Sequence, residues 1–125
     1  MLALFEVDKN NKTKTMYAAH HAAKNIVNDT RCLVNATLKE RCNLPPVDLG
    51  VGLAISQTLV TLIGLDGEKQ PTAFGRCVFK ATKLSGGRNE VIADERLNQS
   101  WPTSKGGKLK FISKKIRGEN GFIME

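Results

Sequence analysis

A chain of 125 residues with a formal net charge of +7 and a hydrophobic fraction of 41% has the size and apolar content of one small domain. That composition argues against disorder over most of the length, and the positive balance favours anionic partners such as nucleotides, nucleic acids or acidic lipids. Cys32, Cys42 and Cys77 are odd in number and lack CxxC spacing, which argues against a disulfide framework and for reduced thiols in a cytoplasmic protein. The apolar start lacks the basic flank of a signal peptide, and no apolar run approaches the roughly 20 residues that span a bilayer.

Met1 to Val7 reads as a short apolar strand, and Asp8 to Lys12 as a polar turn. From Lys14 to about Cys42 one long helix is predicted. Met16, Ala19, Ala23, Ile26, Val27, Thr30, Val34 and Leu38 recur at steps of three or four, the signature of one buried helical face. Thr13 or Asn11 can cap its start, and Asn43-Leu-Pro-Pro46 stops it because proline cannot continue a helix. Val47 to Ile55 and Leu59 to Leu65 read as strands. With only Gln57-Thr58 as the turn between them, they are expected to form an antiparallel hairpin. Asp66 to Pro71 is a turn-rich loop.

Phe74 to Ser85 reads as a second helix, with Val78, Ala81, Thr82 and Leu84 inward and Gly86-Gly87 at its end. Asn89 to Ala93 is a strand, and Asp94 caps a short helix through about Gln99. Lys108 to Ile116 and Gly121 to Met124 form a closing hairpin that turns at Arg117 to Asn120, with Trp101 as an anchor beneath it. The expected architecture is α+β, with helices packed on one face of an antiparallel sheet.

The order of these elements resembles the C-terminal part of a class III adenylyl and guanylyl cyclase domain, and the resemblance covers nearly the whole chain. Leu49-Gly-Val-Gly-Leu-Ala-Ile-Ser56 is similar to that family's Gly-rich strand, and Leu59-Val-Thr-Leu-Ile-Gly64 to the strand after it. Pro71-Thr-Ala-Phe-Gly75 resembles the substrate loop, Arg76 to Ser85 the helix that follows, and Glu90 to Asp94 the next strand. The resemblance implies a ferredoxin-like fold over residues 1–125, which form a single cyclase-like domain. It implies a phosphorus–oxygen lyase that converts a nucleoside triphosphate to a cyclic monophosphate at a site shared between two such domains, a homodimer being the simplest form.

Carried over position by position, the family's transition-state arginine falls on Lys83 and its ribose-orienting asparagine on Phe79. Lysine keeps the charge but loses the planar bidentate fork. Phenylalanine can stack or pack but cannot hydrogen-bond a ribose. Thr72 matches the position that reads the base edge, and Gly75 closes the same substrate-binding loop. Beside these stand plainer readings: Phe79 as core, Lys83 as a surface lysine, Thr72 as a turn residue. Replacement of both the asparagine and the arginine resembles divergent bacterial members, including the anti-phage signalling cyclases that make pyrimidine cyclic nucleotides.

The family's Mg or Mn ions sit on two aspartates that would precede Met1. This chain is therefore expected to lack that metal-binding segment, to hold no metal pair and to be inactive alone. Two alternatives stand beside the enzyme: a non-catalytic cyclase-like module for dimerisation or nucleotide binding, and a basic nucleic-acid-binding domain using Lys105 to Arg117. With Phe111 as the only aromatic in that segment, the stacking platform of single-strand binders is missing, which argues against nucleic acid. Adjacent His20 and His21 point about 100° apart on a helix and read as surface residues.

Overall fold

A computed structural model describes residues 2–101 and 109–124. The long helix runs from Lys12 to Cys42 as α1 (Lys12–Asn25), a π-helical turn (Ile26–Thr30), α2 (Arg31–Thr37) and a second π-helical turn (Leu38–Cys42). Asn11 is its cap: the side chain accepts from the Lys14 N–H at 3.1 Å. Asn43, in the left-handed region at φ 49°, ends it just before Pro45. Met16, Ala23 and Val27 from the predicted stripe are buried, whereas Thr30 is exposed.

Six strands follow: β1 (Val51–Leu53), β2 (Leu59–Ile63), β3 (Gln70–Phe74), β4 (Val91–Ala93), β5 (Phe111–Ile116) and β6 (Glu119–Met124). Between them lie α3 (Arg76–Leu84) and α4 (Glu95–Ser100). The main sheet has the order β1-β4-β6-β5, and β2 and β3 form a separate two-stranded sheet. The α+β class expected from the sequence is therefore what the chain adopts. The main sheet is mixed, because β1 and β4 run parallel while the other pairs are antiparallel.

The helices lie on both sheet faces rather than on one. Val91 and Ala93 point into a core with Met16, Ala23, Val27, Leu97, Trp101 and Met124, which puts α1 and α4 on that side. Ile92 points the other way, as strand alternation requires. A Cβ built on Gly121 would lie 2.6 Å from Ile92 Cγ2 and 2.7 Å from Leu84 Cδ2, so α3 covers this second face. Gly52, paired with Ile92 in register, meets the backbone of α3 at Ala81. Any side chain at Gly52 would push the helix off the sheet. Lys80 of α3 reaches Glu119 of β6 at 3.3 Å on the same side.

Two predicted strands did not form as expected. Residues 2–7 are extended but have no ladder partner. Only 51–53 of the predicted 47–55 segment is strand. Side-chain amides take the place of the missing ladder: Asn35 brackets Val47 by accepting from its N–H at 2.8 Å and donating to its carbonyl at 3.2 Å. Asn89 Oδ1 accepts from the Leu49 N–H at 3.1 Å. Nor do β1 and β2 form a hairpin. The reversal lies instead between β2 and β3, where Gly64 and Gly67 supply positive φ and the Glu68 N–H bonds the Leu65 carbonyl at 2.9 Å. Gln70 to Ala73, expected as a loop, and Phe74, expected as the start of the helix, are consequently a strand. The closing hairpin, by contrast, forms as expected and turns at Arg117-Gly118, both with positive φ; Lys108, its predicted start, and Met1 lie outside the described residues.

Substituting the two sheet glycines tests this packing. Gly121→Ala presses a methyl on flexible side-chain ends and is expected to cost about 1 to 3 kcal/mol in urea unfolding. Gly52→Ala meets backbone and should cost more. Equal stability of both variants and the parent would contradict the seating of α3.

Candidate functional site

The segment from Ile55 to Leu84 holds the candidate site. After β1 the chain turns through Ser56 to Thr58, and both hydroxyls fasten the start of α3. Ser56 Oγ accepts from the Cys77 N–H at 2.9 Å, and Thr58 Oγ1 lies 3.0 Å from Cys77 Sγ. Gly75 sits against the same turn, where a Cβ would lie 2.8 Å from the Gln57 carbonyl oxygen. The root of the β2–β3 arm is thus clamped to the first turn of α3. Cys77, read from sequence only as a reduced thiol, is part of this clamp, and all three cysteines are free.

The arm itself is solvent-exposed along all of β2. Leu59, Val60, Leu62, Ile63 and the following Leu65 are exposed large apolar residues, as is Phe74 at the end of β3. A lone two-stranded hairpin is marginal in water, and this one carries its apolar residues outward. Thr72 pairs with Thr61 in its middle, half-buried, with its hydroxyl 3.4 Å from the Gln70 carbonyl.

Phe79 and Lys83 stand four residues apart on α3 and share one face. Phe79 is 55% exposed, which excludes the core-packing alternative for it. Lys83 Nζ lies 4.8 Å from the Phe79 ring centroid, a cation–π contact worth about 0.5 to 1 kcal/mol in an exposed setting. The inward face of the helix carries Leu84, fully buried, with Val78 and Ala81 half-buried; Thr82, expected inward, is exposed. So the structure joins Phe79 and Lys83 directly, puts Gly75 at the head of their helix, and sets Thr72 on the adjoining arm. Among the described residues no hydrogen bond joins Thr72 to the other two. One shallow surface depression lies at the root of the arm, between Gln57, Thr58, Leu59 and Phe74, and another at the end of the long helix, around Asn35, Lys39 and Pro45.

The described residues offer no group of three or more His, Cys, Asp or Glu that could hold a metal ion. None of the described residues is therefore assigned to the metal pair that the cyclase resemblance implies. No described helix is long and apolar enough to cross a membrane. Of the basic tail, Lys105 and Lys108 lie outside the described residues. Within it, Lys114 Nζ bonds Glu90 Oε2 at 2.7 Å and Arg117 Nη1 donates to the Thr82 carbonyl at 3.5 Å, so two of its cations serve the fold. Among known proteins, no family model matches the chain, and no curated protein resembles it at a significant level.

Among the described residues, two titratable groups, His20 and Asp94, are displaced from their ordinary values. Burial pushes Asp94 up, against the opposing hydrogen bond from the Leu97 N–H and the positive charge of Lys80. Asp94 caps α4 through that bond, at 2.9 Å. Its native pKa exceeds the unfolded one, so the folded state holds the extra proton. Stability from this group is complete below about pH 4 and falls as pH rises through the native value. Asp94→Asn keeps an acceptor and removes this titration, so the parent protein should lose stability relative to it as pH rises through that window. Asp94→Ala should lose about 1 kcal/mol at every pH, the usual worth of a cap. Chemical denaturation from pH 3 to 8 checks both; a parent protein that gains stability with rising pH, relative to the Asn variant, would contradict the assignment.

Proposed function

We propose that this domain is a nucleotidyl cyclase-like module that works in pairs and, in the native gene product, converts a nucleoside triphosphate to a cyclic monophosphate in the cytoplasm. One observation carries the reading. An exposed apolar arm and a helix face bearing Phe79 and Lys83 grow from one clamped root, so a second copy seated on the arm would border that face.

Each residue has a chemical part in this reading. Lys83 supplies a fixed positive charge for the developing negative charge on the triphosphate. Such charges are worth most where water is excluded, and a partner domain would exclude it. Phe79 offers an exposed ring for stacking on a base or sugar, in the place where the resembled family hydrogen-bonds the ribose. Thr72 offers a hydroxyl that can donate to or accept from a base edge. Gly75 lets the backbone run close to the turn at Gln57, so no side chain stands at the entrance. The Mg or Mn ions that such chemistry uses need ligands beyond the described residues, and no step is assigned to them. A second reading, a paired module that binds nucleotide without turning it over, draws on the same arm.

The test incubates the native gene product with each of the four ribonucleoside triphosphates and Mn²⁺ and measures cyclic monophosphate by mass spectrometry. One nucleotide should give product, and Lys83→Ala should slow it about 100-fold, the usual scale for removing one charge-stabilising group. Val60→Lys with Leu62→Lys should shift the sedimenting species to monomer and abolish the rate with it. Nucleotide binding without product would select the second reading. Neither binding nor pairing would reject both.

A further inference from the structure

Trp101 is the one tryptophan of the chain and closes the core beneath the last hairpin. Three side chains meet its ring edge-on. Tyr17 and His20, one turn apart on α1, have centroids 5.2 and 5.6 Å away, at interplanar angles of 66° and 76°. Phe111 of β5 lies 5.9 Å away at 67°. This clasp ties α1, the end of α4 and the closing hairpin together. His20 is only half-exposed, against the surface position expected from sequence. Its Nε2 is buried and has no hydrogen-bond partner among the described residues.

A neutral imidazole tolerates this place, because one ring nitrogen carries no proton and packs as part of a flat ring. An imidazolium does not. Both nitrogens would then be donors, and the buried one would have no acceptor among the described residues. The groups around His20 add to the difficulty. Tyr17, His21 and Lys24 share its helix; Trp101 faces it from just beyond α4; Phe111 lies against Trp101 on β5, next to Lys110 in sequence. None of these is an acid, and no ion pair reaches His20 among the described residues. His21 is itself occupied, with Nδ1 3.4 Å from Asn25 Nδ2.

We propose that His20 is the pin of a pH-sensitive clasp: protonation drives its ring out of contact with Trp101 and loosens α1 from the closing hairpin. Burial first, and then the charges of Lys24 and His21, hold the His20 pKa below the ordinary histidine value. With the native pKa below the unfolded one, the folded state binds fewer protons. The contribution of the clasp is therefore complete above about pH 6.5 and is lost as pH falls through the lower native value. This is independent of the cyclase reading, since it concerns the opposite face of the sheet.

Trp101, having no other tryptophan to mask it, reports the event directly. Its fluorescence, followed from pH 8 to pH 4.5, should change in one step with a midpoint below about 6.5. His20→Gln and His20→Phe should both remove the step, the second filling the same space with an apolar ring. His21→Gln should keep it. Hydrogen-exchange protection at residues 16–24 and 111–116, taken relative to the intrinsic rate at each pH, should fall across the same midpoint in the parent and the His21→Gln variant and not in the two His20 variants. A step that survives in a folded His20 variant overturns the proposal. So does a step lost with His21→Gln, or protection that is unchanged across the transition.

Discussion

The close seating of α3 on β1 sets the geometry of everything that follows it. Gly52 in β1 and Gly50 just before it carry no side chains, and the backbone of α3 and its C-terminal end, at Ala81, Ser85 and Gly87, occupies the space they would fill. With one side of α3 pressed on bare strand, the opposite side must face outward, and Phe79 and Lys83 are on it. The same seating leaves Ile92, Gly121 and Leu84 to interlock beneath the helix. Strand alternation then sends Val51, Leu53, Val91 and Ala93 to the other face, where α1 and Trp101 close the main core. A three-residue strand pair thus divides the domain into a side that packs α1 and a side that presents α3.

Much of this was legible in the chain itself. The long helix, α3, α4 with its Asp94 cap and the closing hairpin carry strong local signals: a regular apolar step, a capping acid, a glycine at each turn. The errors fall where a side chain does the work of backbone or where pairing is remote. Nothing in the composition of residues 47–50 says that Asn35 and Asn89 will hold them, because those partners are 12 and 40 residues away. The reversal was assigned to Gln57-Thr58 for its position between two apolar runs. Gly64 and Gly67 are the turn formers, and they draw β2 onto β3. The alternation Gly50, Gly52 against Val51, Leu53 was visible and does signal a sheet covered on both sides, one by bare backbone approach and one by apolar packing. Reading the glycines only as part of a motif hid that meaning.

The candidate site was legible in part. The four-residue spacing of Phe79 and Lys83 predicted a shared face, and the ring and the ammonium do meet there. Thr72 was read as a loop residue and stands on a strand, which fixes its direction more firmly than a loop would. The clamp of Ser56, Thr58 and Cys77 escaped notice because its three polar groups are unremarkable singly and join only through the fold. His20 escaped for a similar reason. Its neighbours in sequence are helical and mixed, and the ring that buries it is Trp101, 81 positions further on.

The functional reading rests on one arrangement: an arm, a helix face and a shared root forming half of a nucleotide site. Amide chemical shifts of the native gene product, titrated with a nucleoside triphosphate and Mg²⁺, test that arrangement most directly. The account predicts that Thr72, Gly75, Phe79 and Lys83 shift together along one saturation curve. Shifts confined to the Lys110–Arg117 hairpin, or none at all, would contradict it.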